Sequence, residues 1–110
     1  MKLPHGDSAI VDLRKIRDYC LSEEHPRGKH KARIFSLVFG MRSRDAEALR
    51  NDLLHAAKTA EAVLGIADEY GVRYIIDFEL EHSGRTSKVR SGWIIRTDED
   101  VPRFTTCYVL

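Results

Sequence analysis

The order of apolar and polar positions changes character once along this chain. From Ser8 to Leu21, the apolar positions Ile10, Leu13, Ile16 or Arg17, and Cys20 recur at helical spacing, with Asp7 or Ser8 as the N-cap. Ser22 to Gly28 is a stretch of breakers and turn formers, in which Pro26 suits the start of the next helix. A second helix is predicted from about Gly28 to Phe39, stopped by Gly40. A third opens at Ser43 or Asp45 and runs to about Thr59, with Ala46, Leu49, Leu53, Ala56 and Ala60 on one face.

After Gly65 the period becomes two. Val72, Tyr74, Ile76, Phe78 and Leu80 share one face of a strand, opposite Arg73, Asp77, Glu79 and Glu81. His82-Ser83-Gly84-Arg85 is a hairpin turn. The strand after it sets Val89, Ser91, Trp93 and Ile95 against Lys88, Arg90, Ile94 and Arg96. An acidic turn at Thr97-Asp98-Glu99-Asp100 leads to a last strand, Arg103 to Leu110. The fold class that follows is α+β: about three N-terminal helices packed on a C-terminal antiparallel sheet of three to four strands. Residues 1–110 are expected to form a single domain.

Composition removes several classes. With 43% hydrophobic residues and a formal charge of +1, the chain is too apolar and too nearly neutral to be wholly disordered. Cys20 and Cys107 are far apart and have apolar flanks, which reads as reduced buried thiols and not as a zinc site or a disulfide scaffold. No run approaches the roughly 18 apolar residues of a membrane span, and the first residues carry no apolar signal segment. A cytoplasmic protein without membrane contact is expected.

Charge is unevenly spread. Residues 1–60 hold twelve Lys and Arg against eight Asp and Glu, whereas residues 61–110 hold six against nine. The run His25-Pro26-Arg27-Gly28-Lys29-His30-Lys31-Ala32-Arg33 carries four cations and two histidines with no acid. It marks either an anion-binding surface or a solvated loop and helix start.

The second helix breaks its own pattern. At about 100° per residue, Lys31 falls within the apolar arc of Ile34, Phe35, Val38 and Phe39. A lysine so placed either snorkels to the rim or is held in a cleft with an anionic ligand. Lys29 and Arg33 point the other way, towards solvent or phosphate, and His30 lies on the flank. On the strands, Ser91 and Thr106 interrupt apolar rows, the latter between Phe104 and Tyr108. Unbroken alternation puts Arg90, Arg103 and Thr105 on the opposite row, and a single bulge would swap that assignment.

Lysine and histidine at a helix start, with hydroxyls, arginines and aromatics on strands, fit metal-independent RNA cleavage. That reaction needs a base for the 2′-hydroxyl, an acid for the leaving 5′-oxygen and fixed cations or donors at phosphorus. Histidine can move protons near neutrality, lysine and arginine can stabilise charge, and an aromatic ring can hold an unstacked base.

The same residues carry a family resemblance. His25-Pro26-Arg27-Gly28-Lys29-His30-Lys31-Ala32-Arg33-Ile34-Phe35, closed by Gly40, resembles the HPxGxxKAxxF signature of a small bacterial domain of unknown function, found alone and at the C-termini of polymorphic toxins. The likeness continues through Glu69-Tyr70-Gly71, Trp93-Ile94 and Val101 to Tyr108. It implies a place near the ribonuclease grouping of barnase, EndoU, the colicins and RelE. The colicin D type is most similar, through Lys29-His30-Lys31 and Ser91-Gly92-Trp93.

The leading expectation is an endoribonuclease toxin directed at RNA, with tRNA as the candidate target, and controlled by a small antitoxin or immunity protein. Lys31 would stabilise the phosphorane or act as a base, and His30 or His25 would shuttle a proton. Arg90 and Arg103 would clamp phosphate, Ser91 and Thr105 or Thr106 would donate hydrogen bonds, and Trp93 or Tyr108 would stack a base. Lys29 and Arg33 would contact the substrate backbone. No metal or other cofactor is expected. Two alternatives are a non-catalytic protein-binding module and an enzyme of phosphate-bearing small molecules. A homodimer through the edge of the C-terminal strand is a further expectation.

Overall fold

The computed structural model describes residues 1–110. A short 3-10 turn at Gly6–Ser8 precedes α1 (Leu13–Lys15), which passes directly into a π-helical turn, Ile16–Cys20. Then come α2 (Lys29–Phe39), a 3-10 turn at Ser43–Asp45, and α3 (Ala46–Thr59). The strands β1 (Val63–Asp68), β2 (Gly71–His82), β3 (Arg85–Arg96) and β4 (Arg103–Val109) form one antiparallel meander in the order β1-β2-β3-β4. The expected α+β arrangement holds, with the sheet at the four-strand end of its range. No helix is long and apolar enough to cross a membrane.

Local chemistry explains the boundaries. Gly40 adopts φ +72°, and its amide bonds back to Ser36 O at 2.8 Å, so α2 ends in a left-handed glycine cap. Ser83 and Gly84, at φ +52° and +78°, form a two-residue turn with both centres left-handed, which matches the strand twist and pairs His82 with Arg85. The first helix differs from its sequence reading. Its cap is Asp12, whose carboxylate accepts the Arg14 amide at 3.0 Å, and not Asp7 or Ser8. Ile10 is not helical because β4 takes its backbone: Ile10 N–H donates to Pro102 O and Phe104 N–H donates to Ile10 O, both at 2.9 Å.

The helices cover one face of the sheet. Phe35 and Phe39 of α2, Leu49 and Leu53 of α3, and Ile16 and Leu21 meet Ile76, Leu80, Val89, Trp93 and Phe104 in one buried cluster. Burying each such side chain stabilises the fold by about 1.5–3 kcal/mol. The row Val89, Ser91, Trp93 faces inward as expected.

β4 departs from simple alternation. Gly92 pairs with Thr106 and Trp93 with Phe104, so Thr105 is the extra residue of a bulge. The bulge flips everything after it. Cys107 is buried beside Phe104 on the inner face. Thr106 and Tyr108 sit opposite Gly92 and Arg90 on the outer row, so the expected inward row of Phe104, Thr106 and Tyr108 is corrected. Gly92 permits this geometry, because a Cβ there would lie 2.8 Å from Thr105 Oγ1.

Candidate functional site

The basic run begins as a scaffold. His25 Nδ1 accepts the amides of Arg27 (3.0 Å) and Gly28 (3.1 Å), which makes the turn and leaves the ring proton on Nε2. Gly28 packs so tightly on the preceding helical turn that a Cβ would come within 2.6 Å of Tyr19 O. The His25 ring meets the Tyr19 ring edge-on, with centroids 4.5 Å apart. His25 and Gly28 therefore fix two things together: the start of α2, where Lys29 N–H donates to His25 O at 2.9 Å, and the attitude of Tyr19.

Tyr19 forms a wall of an open cleft of about 370 Å³, lined by Lys15, Tyr19, Lys31, Thr105 and Thr106. It lies along the outer edge of β4, between that strand and the helical segments. Lys15 is anchored through Nζ, which donates to Phe104 O at 3.4 Å, just before the bulge. Lys31 projects from the first turn of α2 and places Nζ 4.7 Å from the Tyr108 ring centre, a cation–π contact at the rim. The snorkelling and cleft positions envisaged for Lys31 are thus the same place, since the lysine is exposed and also lines the cleft.

Charge pairing separates these cations from the others. Arg90 forms a double hydrogen bond to Asp77 (2.8 and 2.9 Å), which holds that carboxyl below the usual range and raises the guanidinium's pKa. Arg103 is held the same way by Glu99, with both bonds at 2.8 Å. Lys15, Arg27, Lys29, Lys31 and Arg33 take part in none of the ion pairs, which use the N-terminus, Lys2, Arg14, Arg17, Arg42, Arg73, His82, Arg90, Arg96 and Arg103. Half of the ten lysines and arginines outside ion pairs therefore lie around the start of α2 and the cleft beside it, the other five being Arg44, Arg50, Lys58, Arg85 and Lys88.

The residues singled out in the sequence divide into three places. Lys31, Thr105 and Thr106 meet in the cleft, with Tyr108 at its rim. Lys29, His30 and Arg33 line a separate depression of about 300 Å³ with Glu23, so His30 is not beside the Lys31 cleft. Ser91 and Trp93 lie in the core. Ser91 Oγ donates to Ile76 O (2.9 Å) and accepts from Trp93 Nε1 (2.9 Å), leaving the hydroxyl fully engaged. Trp93 is 1% exposed and packs against Phe104, so the base-stacking role expected of it is corrected: no ring face is free. Arg90 and Arg103, expected to clamp phosphate, do not line the cleft, and each is instead paired through two hydrogen bonds with a carboxylate.

Sequence reasoning missed Lys15 and Tyr19. Both lie on the segment read as scaffold, where the π-helical turn, with Leu21 N–H donating to Ile16 O at 2.9 Å, shifts side chains from ideal helical positions. No three His, Cys, Asp or Glu side chains converge as metal ligands.

The chain belongs to the family described as a domain of unknown function (DUF6883), whose model matches residues 2–110. No curated protein matches it. Among solved structures, a chain of the "Contact-dependent growth inhibition toxin - immunity protein complex from Klebsiella pneumoniae 342" is similar at 15% identity with a TM-score of 0.69. The match covers 92% of this chain and 99% of that one, and it shows a shared fold.

Proposed function

We propose that the chain is a metal-independent endoribonuclease toxin, with tRNA as its candidate target, held in check by a small immunity protein or antitoxin. One observation carries this reading: two ammonium groups without carboxylate partners, Lys15 and Lys31, share a cleft with two strand hydroxyls and a phenol. A phosphodiester fits that donor set. Lys15 and Lys31 would offset the negative charge that grows on phosphorus as the 2′-hydroxyl attacks, and Thr105 and Thr106 would donate to the non-bridging oxygens. The 2′-hydroxyl proton would pass to solvent water, the Tyr19 phenol would give its proton to the leaving 5′-oxygen and regain one from solvent, and the exposed part of the Tyr108 ring would carry an adjacent base. Lys29 and Arg33, one depression away, would hold the backbone further along. His30 and His25 stand outside the cleft lining, and His25 acts through the position of Tyr19. The toxin and immunity roles draw support from the solved complex whose chain shares this fold, and that support is one of fold only.

The test is cleavage of total RNA and tRNA by the purified chain in a chelator. Defined fragments with cyclic-phosphate ends, reduced at least about 100-fold in Lys31→Ala with unchanged melting, are expected. Folded protein that leaves RNA intact would overturn the reading.

A second reading, a protein-binding module, is favoured by the opposite edge of the sheet. Val63, Leu64, Ile66 and Tyr70 are each at least 60% exposed on or beside β1. Such a concentration of apolar surface is a protein contact in waiting, and it suits the partner of the toxin as well as a module without catalysis.

A further inference from the structure

The two cysteines, expected to be reduced buried thiols, lie against each other. Cys20 closes the π-helical turn and Cys107 points inward from β4, and each is 1% exposed. The Cys107 thiol and backbone amide and the Thr106 hydroxyl all interact with the Cys20 sulfur. The preceding residues, Tyr19 and Thr106, line the cleft, so the sulfur pair lies directly behind two of its walls.

We propose that Cys20 and Cys107 are a redox modification site, closing to a disulfide that staples the π-helical turn to β4 behind the cleft. The environment divides the labour between the sulfurs. Hydrogen bonding from Cys107, followed by the Thr106 hydroxyl and the charge of Lys31, lowers the pKa of Cys20 against the opposing effect of burial. Cys107 moves the other way, through its bond to Cys20 and through burial. Cys20 is thus the thiol that ionises more readily and the attacking sulfur.

The near-complete burial selects the oxidant class. A protein oxidase has no surface to grip, whereas hydrogen peroxide, with two heavy atoms, can enter from the cleft. Cys20 sulfur attacks one peroxide oxygen, the O–O bond breaks, and the departing hydroxide takes the Cys20 proton and leaves as water. Cys107 sulfur then attacks the Cys20 sulfenic acid, the S–O bond breaks, and hydroxide leaves with the Cys107 proton as a second water. Two thiols lose two electrons and two protons, and one peroxide becomes two waters.

The bond itself does not depend on the proposed ribonuclease activity; only its consequence for substrate does. The experiment treats the reduced full chain with hydrogen peroxide and reads the intact mass, free thiols, peptide map and melting temperature. The expected result is a monomer lighter by two hydrogens, with no free thiol and a single Cys20–Cys107 cross-linked peptide pair. Its melting temperature rises by roughly 10 °C or more and returns on reduction. Cys20→Ser and Cys107→Ser should each abolish both changes; should those variants fold poorly, the wild-type mass and map decide alone. Two thiols still free in the folded protein, oxidation halting at sulfinic acid, or bridges only between chains would overturn the proposal. RNA cleavage measured in both states separates the questions: a cross-linked chain that never cuts RNA counts against the ribonuclease and leaves the disulfide standing.

Discussion

The two edges of the sheet are built on opposite principles. β4 is overlaid by the N-terminal segment and the helices: Ile10 pairs with it at Arg103, and the π-helical turn and the start of α2 flank it where Thr105 and Thr106 emerge. What remains open there is small and cationic. β1 has no such cover beyond a single bridge between Lys2 and Glu61, and it exposes Val63, Leu64 and Ile66 to solvent. An edge strand ordinarily carries charge or a covering element to block foreign pairing. β1 has neither along its middle, so the two edges differ in kind: a small cationic opening at β4 and a bare apolar strand at β1. The edge of β4, the expected site of a homodimer, is thus the more covered of the two.

Charge changes at the two edges give the largest expected separation. Lys15→Glu reverses a cation in the cleft and should lower RNA cleavage by about 100-fold or more, with little effect on partner binding at β1. Ile66→Lys should do the reverse, weakening a partner at least about tenfold in titration calorimetry and leaving cleavage within about twofold. Equal effects of both variants on both readouts would dissolve the distinction between the edges.

Ser91→Ala sharpens the contrast between cleft hydroxyls and core hydroxyls. It strands the Trp93 indole N–H and removes a donor from Ile76 O, which should cost about 1–3 kcal/mol in denaturant unfolding. Cleavage per folded molecule should be unchanged; a loss of activity beyond the loss of folded protein would return Ser91 to the reacting groups.

The smallest effect is a pH dependence at the base of the cleft wall. Asp12 caps the segment that carries Lys15 and Tyr19, and hydrogen bonds from Arg14 lower its pKa to about 2. A lowered folded pKa means that its contribution is complete above the ordinary value of 3.8 and disappears as pH falls through about 2. The difference in melting temperature between wild type and Asp12→Asn should accordingly be constant from pH 7 to about 4.5 and vanish near pH 2. A difference that grows on acidification would show that the carboxylate does not cap in solution.

Legibility in the sequence followed the strength of the periodic signal. α2, α3 and the β2–β3 hairpin were readable because their apolar spacing, Gly40 and Ser83-Gly84 all agree with one local structure. β1 was not, because Val63-Leu64-Gly65-Ile66-Ala67 has no alternation to read: its faces are both largely solvent-exposed and its pairing with β2 is irregular between Leu64 and Ala67. Lys31 was readable as a polar residue on an apolar arc. Lys15 and Tyr19 were not, since a π-helical turn winds differently from the helix on which such arcs are drawn. Ser91 and Trp93 looked chemical for a sound reason, a hydroxyl on an apolar row, yet the two satisfy each other.

The bulge at Thr105 makes the parity of β4 depend on a single residue. Straightening the strand with Thr105 kept in the ladder would restore the unbroken alternation that the sequence suggests, and the strand beyond would be read out of phase. Tyr108 would be driven into the core and Cys107 turned out to solvent, so the cation–π contact with Lys31 and the thiol pair would be lost together. Such straightening is a frameshift in space, altering every later side chain of the strand with its composition untouched, whereas deletion of Thr105 itself would leave Phe104, Thr106, Cys107 and Tyr108 opposite the partners they have now.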